Sequence, residues 1–121
     1  MYRISDELDL KEIIGSEIEQ ICSTRFGVQL HFSSGTSLSV QSDINLLDGD
    51  RIIGSWNQGE NWSSISFQRL LNIPVRKYSV PNNRLLQIEL ADGLVLQIYD
   101  SSDQYESFQI TKKDTDEIIV V

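Results

Sequence analysis

Two stretches of this chain follow one rule at an offset of 58 residues. They are "VQLHFSSGTSLSV" (residues 28–40) and "LQIELADGLVLQI" (residues 86–98), and Gly35 falls on Gly93 when they are aligned. Apolar and polar residues alternate, the chain turns over a glycine, and the alternation resumes. A period of two puts Leu30, Phe32, Leu38 and Val40 on one face of a hairpin, and Ile88, Leu90, Leu96 and Ile98 on one face of another. Gly35 and Gly93 stand where a tight turn needs a positive φ. An internal duplication and two independent hairpins obeying the same rules both explain the match.

A further strand precedes each hairpin. Residues 14–22 lead into the first, with Ile14, Ile18 and Cys22 facing inward. Residues 75–80 lead into the second, after Pro74, which blocks a helix there. "PNN" (residues 81–83) signals a turn. Each half therefore reads as a three-stranded meander. "YESFQI" and "EIIVV" add two strands joined by "KKDTD". The glycines, Asp and Asn of residues 42–62 read as loop. "WSSISFQRLLNI" (residues 62–73) reads as a short helix capped by Ser63 or Ser64, with Ile65, Leu70 and Leu71 facing the core, Phe67 near them, and Pro74 as its stop. "SDELDLKEIIG" reads as a brief helical turn capped by Ser5 and stopped by Gly15, or as an extended lead-in. The expected fold is α+β: antiparallel meanders, in one sheet or two, packed on one main helix.

The chain has 121 residues, enough for one domain spanning 1–121 and too few for two useful cores. Its longest apolar run, "IIVV", is far short of the roughly 20 residues of a spanning helix. The acidic start "MYRISDELDLKE" lacks the apolar stretch of a secretory signal. These features predict a soluble cytoplasmic protein. Lys and Arg number 10 against 18 Asp and Glu, a net charge of −8. That charge disfavours nucleic acid and anionic membranes and favours a basic protein partner. Solubility alone also explains an acidic surface.

No pattern of catalysis or cofactor binding stands out, and the chain reads as a non-enzyme without cofactor or metal. Cys22 and His31 are the sole Cys and His, so neither a zinc set nor a Ser–His pair with a G-x-S-x-G elbow can be assembled. Cys22 reads as a small strand residue and His31 as a polar-face strand residue. "DGDRIIG" lacks the alternating oxygens of a calcium loop. In "YESFQI", Glu106 shares its face with Phe108 and Ile110, and it should be tied to backbone N–H groups, Arg84 or Arg76. Asp100 and Asp103 read as solvent-facing, with Asp100 forming a turn after its strand. Trp56 and Trp62 cover an open sheet end or mark an interface.

The succession "LHFSSGTSLSV", "LLN-x-PV", "IELADGLVLQI" and "YESFQI", spanning roughly residues 14–110, resembles a group of small acidic bacterial proteins of unknown function. Some proteins of that kind are immunity proteins of contact-dependent growth-inhibition or polymorphic toxin systems. The resemblance implies a binding protein that neutralises a basic toxin domain, most plausibly a nuclease, by occluding its active site or an exosite. It carries over no catalytic residue. The expected contact residues are Asp48, Asp50, Trp56 and Glu60 from the middle region, and Asp100, Asp103 and Tyr105 from the later loop. A module that self-associates through the "EIIVV" edge is the first alternative. A carboxylate enzyme or small-ligand binder is the second.

Overall fold

The computed structural model describes residues 4, 7–23, 27–56, 65–100, 108–112 and 117–120. Within them, ten strands follow one another: β1 (Ile18–Ser23), β2 (Val28–Phe32), β3 (Thr36–Val40), β4 (Ile44–Asp48), β5 (Arg51–Trp56), β6 (Val75–Asn82), β7 (Leu85–Leu90), β8 (Leu94–Tyr99), β9 (Phe108–Lys112) and β10 (Glu117–Val120). Sheet one has the order β1-β2-β3-β9-β10, and sheet two has the order β6-β7-β8-β4-β5. All neighbouring strands are antiparallel.

The two hairpins form in the register that the alternation demands, with Leu30 opposite Leu38 and Ile88 opposite Leu96. Gly35 and Gly93 have φ of 95° and 93°. Their amides donate to the carbonyls of Phe32 and Leu90, each at 3.0 Å. Each is a three-residue loop closed by a left-handed glycine, which matches the right-handed twist of the strands.

The expected main helix is absent. Among the described residues no helix reaches seven residues. Those residues hold two 3₁₀ segments, Lys11–Ile13 and Ile65–Leu70. The second is too short to recover the cost of helix nucleation. Asn72, at φ 63°, and Pro74 follow it closely. The fold is two β-sheets rather than α+β. Among the described residues no helix is long and apolar enough to cross a membrane.

Much of the expected middle loop is a third hairpin, β4–β5. Asp48 pairs with Arg51 around Gly49 and Asp50, and Gly49 has φ 65°. A two-residue turn with glycine at its first central position is a II′ pattern. Ile44 and Leu46 point inward, and Gly49 and Gly54, which suggested loop, serve as turn and strand residues. The lead-in strand also differs from expectation. A bulge at Glu19 reverses the alternation, so Ile21 rather than Cys22 lies opposite Leu30. Ile14 lies outside the strand and is exposed.

The halves match far beyond the hairpins. β1 and β6 carry a bulge at the same place, Glu19 and Arg76, between pairs Ile18–Phe32 and Val75–Leu90. A left-handed residue precedes each strand, Gly15 and Asn72. The Gly15 amide donates to the Val75 carbonyl at 2.8 Å, and the Asn72 amide donates to the Ile18 carbonyl at 3.0 Å. The bridge Ile14–Val75 exchanges with Leu71–Ile18, and Glu17–Pro74 maps onto itself. Each meander is then followed by a hairpin that leaves for the other sheet. β4–β5 joins β8, and β9–β10 joins β3, in equivalent registers: Ile98–Ile44, Leu96–Leu46 and Leu94–Asp48 match Val40–Phe108, Leu38–Ile110 and Thr36–Lys112. Rules for single hairpins do not generate this reciprocity. The protein is a structural duplication whose halves exchange hairpins, with a pseudo-two-fold relation passing between Glu17 and Pro74.

The exchange places the core. Inward residues of both sheets form one buried cluster, from Val28, Leu30, Leu38 and Val40 to Leu86, Ile88, Leu96 and Ile98. Each fully buried Leu or Ile contributes about 1.5–3 kcal/mol by leaving water. One end of the sandwich carries both crossovers between sheets. The other carries the turns at Gly35, Gly49 and Gly93.

Candidate functional site

At the turn end of sheet two, β4 and β8 lie side by side, so the β4–β5 and β7–β8 turns are neighbours. They bring together Asp48, Asp50 and Asp92, all exposed. Asp48 opposes Leu94 in the ladder. Asp92 Oδ1 accepts the Leu94 amide at 3.2 Å, which fixes its turn. Asp48 pairs with Arg69 at 3.6 Å, with both side chains about half exposed; such a pair contributes little to stability. The corresponding turn positions of sheet one are Lys112 for Asp48 and Ser34 for Asp92. There Lys112 pairs with Glu12 at 3.2 Å and donates to the Asp9 carbonyl at 2.6 Å. At these two positions the sheets differ in charge; the rest of the β9–β10 turn, residues 113–116, lies outside the described residues.

The expected contact residues that the structure describes are split between the two ends of sheet two. Trp56 ends β5 at the crossover end, five residues from Arg51, or about 17 Å along an extended strand. Trp56 is 1% exposed, packed in the core, and its Nε1 finds no acceptor among the described residues. It seals the end of sheet two. Asp100, expected at the surface, is also 1% exposed. Its amide donates to the Arg84 carbonyl at 2.8 Å, and its carbonyl accepts from Arg84 Nη1 at 3.4 Å. The inward parity of Ile98 carries on into Asp100, which turns its side chain from solvent. Glu60, Asp103, Tyr105, Trp62 and Glu106 lie outside the described residues. Asp48 and Asp50 therefore stand together at the turn end, joined by Asp92, which the sequence pattern alone did not single out.

The outward faces differ as well. One row across sheet two reads Ser79, Gln87, Gln97, Asn45, Ser55, and its counterpart in sheet one reads Cys22, Gln29, Ser39, Gln109, Val120. Tyr99 donates its hydroxyl proton to Gln97 Oε1 at 2.8 Å, and Gln97 Nε2 donates to Gln87 Oε1 at 3.1 Å. The next row of sheet two reads Lys77, Glu89, Val95, Leu47, Ile52. In sheet one it reads Gln20, His31, Ser37, Thr111, Ile118. Ile52 is 57% exposed. His31 Nδ1 lies 2.9 Å from Ser37 Oγ. Glu89 is gripped by Arg76 and by Lys77, the latter at 3.3 Å. The Arg76 hydrogen bond holds its carboxyl below the usual range, helped by Lys77 and opposed by partial desolvation.

The sequence held a signal for that aliphatic row. A strand with one buried face alternates, as "TSLSV" does, whereas "LVL", "NLL" and "RII" place apolar residues side by side.

Among the described residues no group of three or more His, Cys, Asp or Glu side chains is placed to hold a metal ion. The pocket lined by Ser39, Gln41, Phe108 and Gln109 has a volume of about 20 Å³, room for a water molecule. No protein-family model, curated protein or solved structure matches this chain.

Proposed function

We propose that this chain is a protein-binding module that takes a basic partner at the turn end of sheet two, through Asp48, Asp50 and Asp92. The carrying observation is the internal contrast in charge. At two equivalent turn positions the halves serve the same fold, yet Asp48 and Asp92 of sheet two stand where sheet one has Lys112 and Ser34. Nothing in the hairpin geometry asks for that difference. An acidic rim on a chain of net charge −8 attracts a cationic surface and speeds encounter.

The specific form of this reading is immunity-type inhibition. The carboxylates would stand in for substrate phosphates and occlude the active site or an exosite of a basic toxin domain, such as a nuclease. A second reading, self-association through a sheet edge, is favoured by the place of β10 as an outer strand of sheet one.

The test is affinity capture from the source bacterium at low and high salt, using the wild type and an Asp48→Lys/Asp50→Lys/Asp92→Lys variant. A stoichiometric basic protein that is held at low salt, weakened by salt and lost by the variant supports the proposal. A partner held equally by the variant overturns the assignment to this rim.

A further inference from the structure

The outward face of sheet two is built to meet something, and the duplication makes this legible. Sheet one shows what the fold itself requires on an outward face. At the positions of Val95 and Leu47 it has Ser37 and Thr111, and it folds with them. The aliphatic side chains of Val95 and Leu47 therefore answer no demand of the architecture; Ile52 beside them falls at the register position that Ile118 holds in sheet one. The three sit in one row on three adjacent strands, beside the uncharged row from Ser79 to Ser55.

We propose that this face binds a second copy of the chain, forming a two-fold symmetric dimer sheet against sheet. Three properties of the face select that occupant. Its polar groups are amides and hydroxyls, each both donor and acceptor, so a surface made of them complements itself. Its charges are of both signs and adjacent, Glu89 beside Arg76 and Lys77, so a two-fold axis can oppose plus to minus. The one carboxylate in its two named rows, Glu89, is already held by Arg76 and Lys77, which leaves little for a basic partner to seek there. Copies carrying −8 each repel one another, and contact through a face of few and mutually paired charges keeps that repulsion small. Five strands and three outward rows span about 24 by 20 Å. That is a flat area of about 480 Å², below the roughly 800 Å² per partner of a standard interface, so the dimer is expected to be a weak one.

Sedimentation equilibrium of the full chain measures the dimer directly. Two variants probe the face. Val95→Ser/Leu47→Thr installs the residues that sheet one already tolerates, and Gln97→Glu sets like charges across the axis. The expected result is a concentration-dependent dimer, weakened at least tenfold by either variant while the thermal midpoint and circular dichroism stay native-like. Raising salt should strengthen the dimer by screening repulsion, opposite to the salt response expected for a basic partner. The two proposals therefore fail independently. A wild type that stays monomeric to millimolar concentration overturns the inference. So does a dimer indifferent to both variants, and so does one abolished only by Ile119→Pro in β10, which assigns it to edge pairing.

Discussion

Position for position, sheet one presents Ser37 and Thr111 to solvent where sheet two presents Val95 and Leu47, and Lys112 occupies the place of Asp48. Inside, the sheets agree: Leu38 and Leu96, Leu30 and Ile88, Val40 and Ile98 are all buried. Agreement is confined to what the fold needs, since close packing constrains volume and register. Divergence is widest at rims and outward faces, where ordinary substitutions cost little; inside, Thr36 is buried where sheet two has Leu94. One half thus serves as a control for the other. A feature shared by both belongs to the architecture. A feature in one alone is a candidate for function.

The comparison is most exposed to failure in the core. Leu38 and Leu96 are the same residue at equivalent positions, flanked by Leu30 and Ile110 in one sheet and by Ile88 and Leu46 in the other. Truncating either to Ala should cost about 3 kcal/mol, and the two values should agree within about 1 kcal/mol. Urea titration of each variant checks this. A twofold disparity would mean that one sheet carries the stability and that the shared register conceals unequal packing.

A smaller effect is expected at Trp56, which sheet two uses to seal its crossover end. Its indole N–H finds no acceptor among the described residues, so Trp56→Phe forfeits ring area without breaking a hydrogen bond seen there. The loss should stay below about 1.5 kcal/mol, against about 3–5 kcal/mol for Trp56→Ala. Partner binding at the acidic rim should be unchanged in Trp56→Phe. Calorimetric melting and binding to the captured partner separate the two readouts.

Much of the architecture was legible wherever one face of a strand is buried. Period-two alternation named the inward residues of β2, β3, β7 and β8 and the glycines of their turns. It failed where a local rule was broken. The bulge at Glu19 moved Ile21 into the place expected of Cys22, and no composition signal marks a single extra residue. The β4–β5 hairpin was hidden by reading glycine as loop, although Gly49-Asp50 as the two residues between strand-like runs is itself a hairpin signal. The helix at 62–73 was expected from a short apolar spacing, which cannot outweigh nucleation cost in so few residues. The acidic rim was half visible. Asp48 and Asp50 are close in sequence, but Asp92 joins them only because β4 crosses to pair with β8, a long-range exchange that no local pattern encodes.

The left-handed residues before β1 and β6 allow a finer test. Gly15 and Asn72 are equivalent, both at positive φ, and a side chain at Gly15 would meet no neighbouring atom within 4 Å. Gly15→Ala should therefore cost about 1 kcal/mol from backbone strain alone. Gly15→Asn, which installs what the other half already uses, should cost less than half as much. Equal losses for Ala and Asn would show that the turns leading into β1 and β6 are not interchangeable.

The smallest effect concerns acid. Glu89 lies where sheet one has His31, and the bulge residue Arg76 beside it corresponds to Glu19, so only sheet two holds a carboxylate between cations. The Arg76 hydrogen bond leads in holding the Glu89 carboxyl below its ordinary value of 4.5. A depressed pKa means that the folded state favours the ionised form. The resulting stability is fully present above pH 4.5 and drains away as pH falls through the lower folded-state value. Exposure of both cations keeps the effect slight. Stability measured by urea at stepped pH should decline in that acidic window for the wild type, and Glu89→Gln should flatten that part of the decline. If the curves of wild type and Glu89→Gln run parallel, the pair adds nothing to the fold. Its value then lies only in giving the outward face of sheet two both signs of charge.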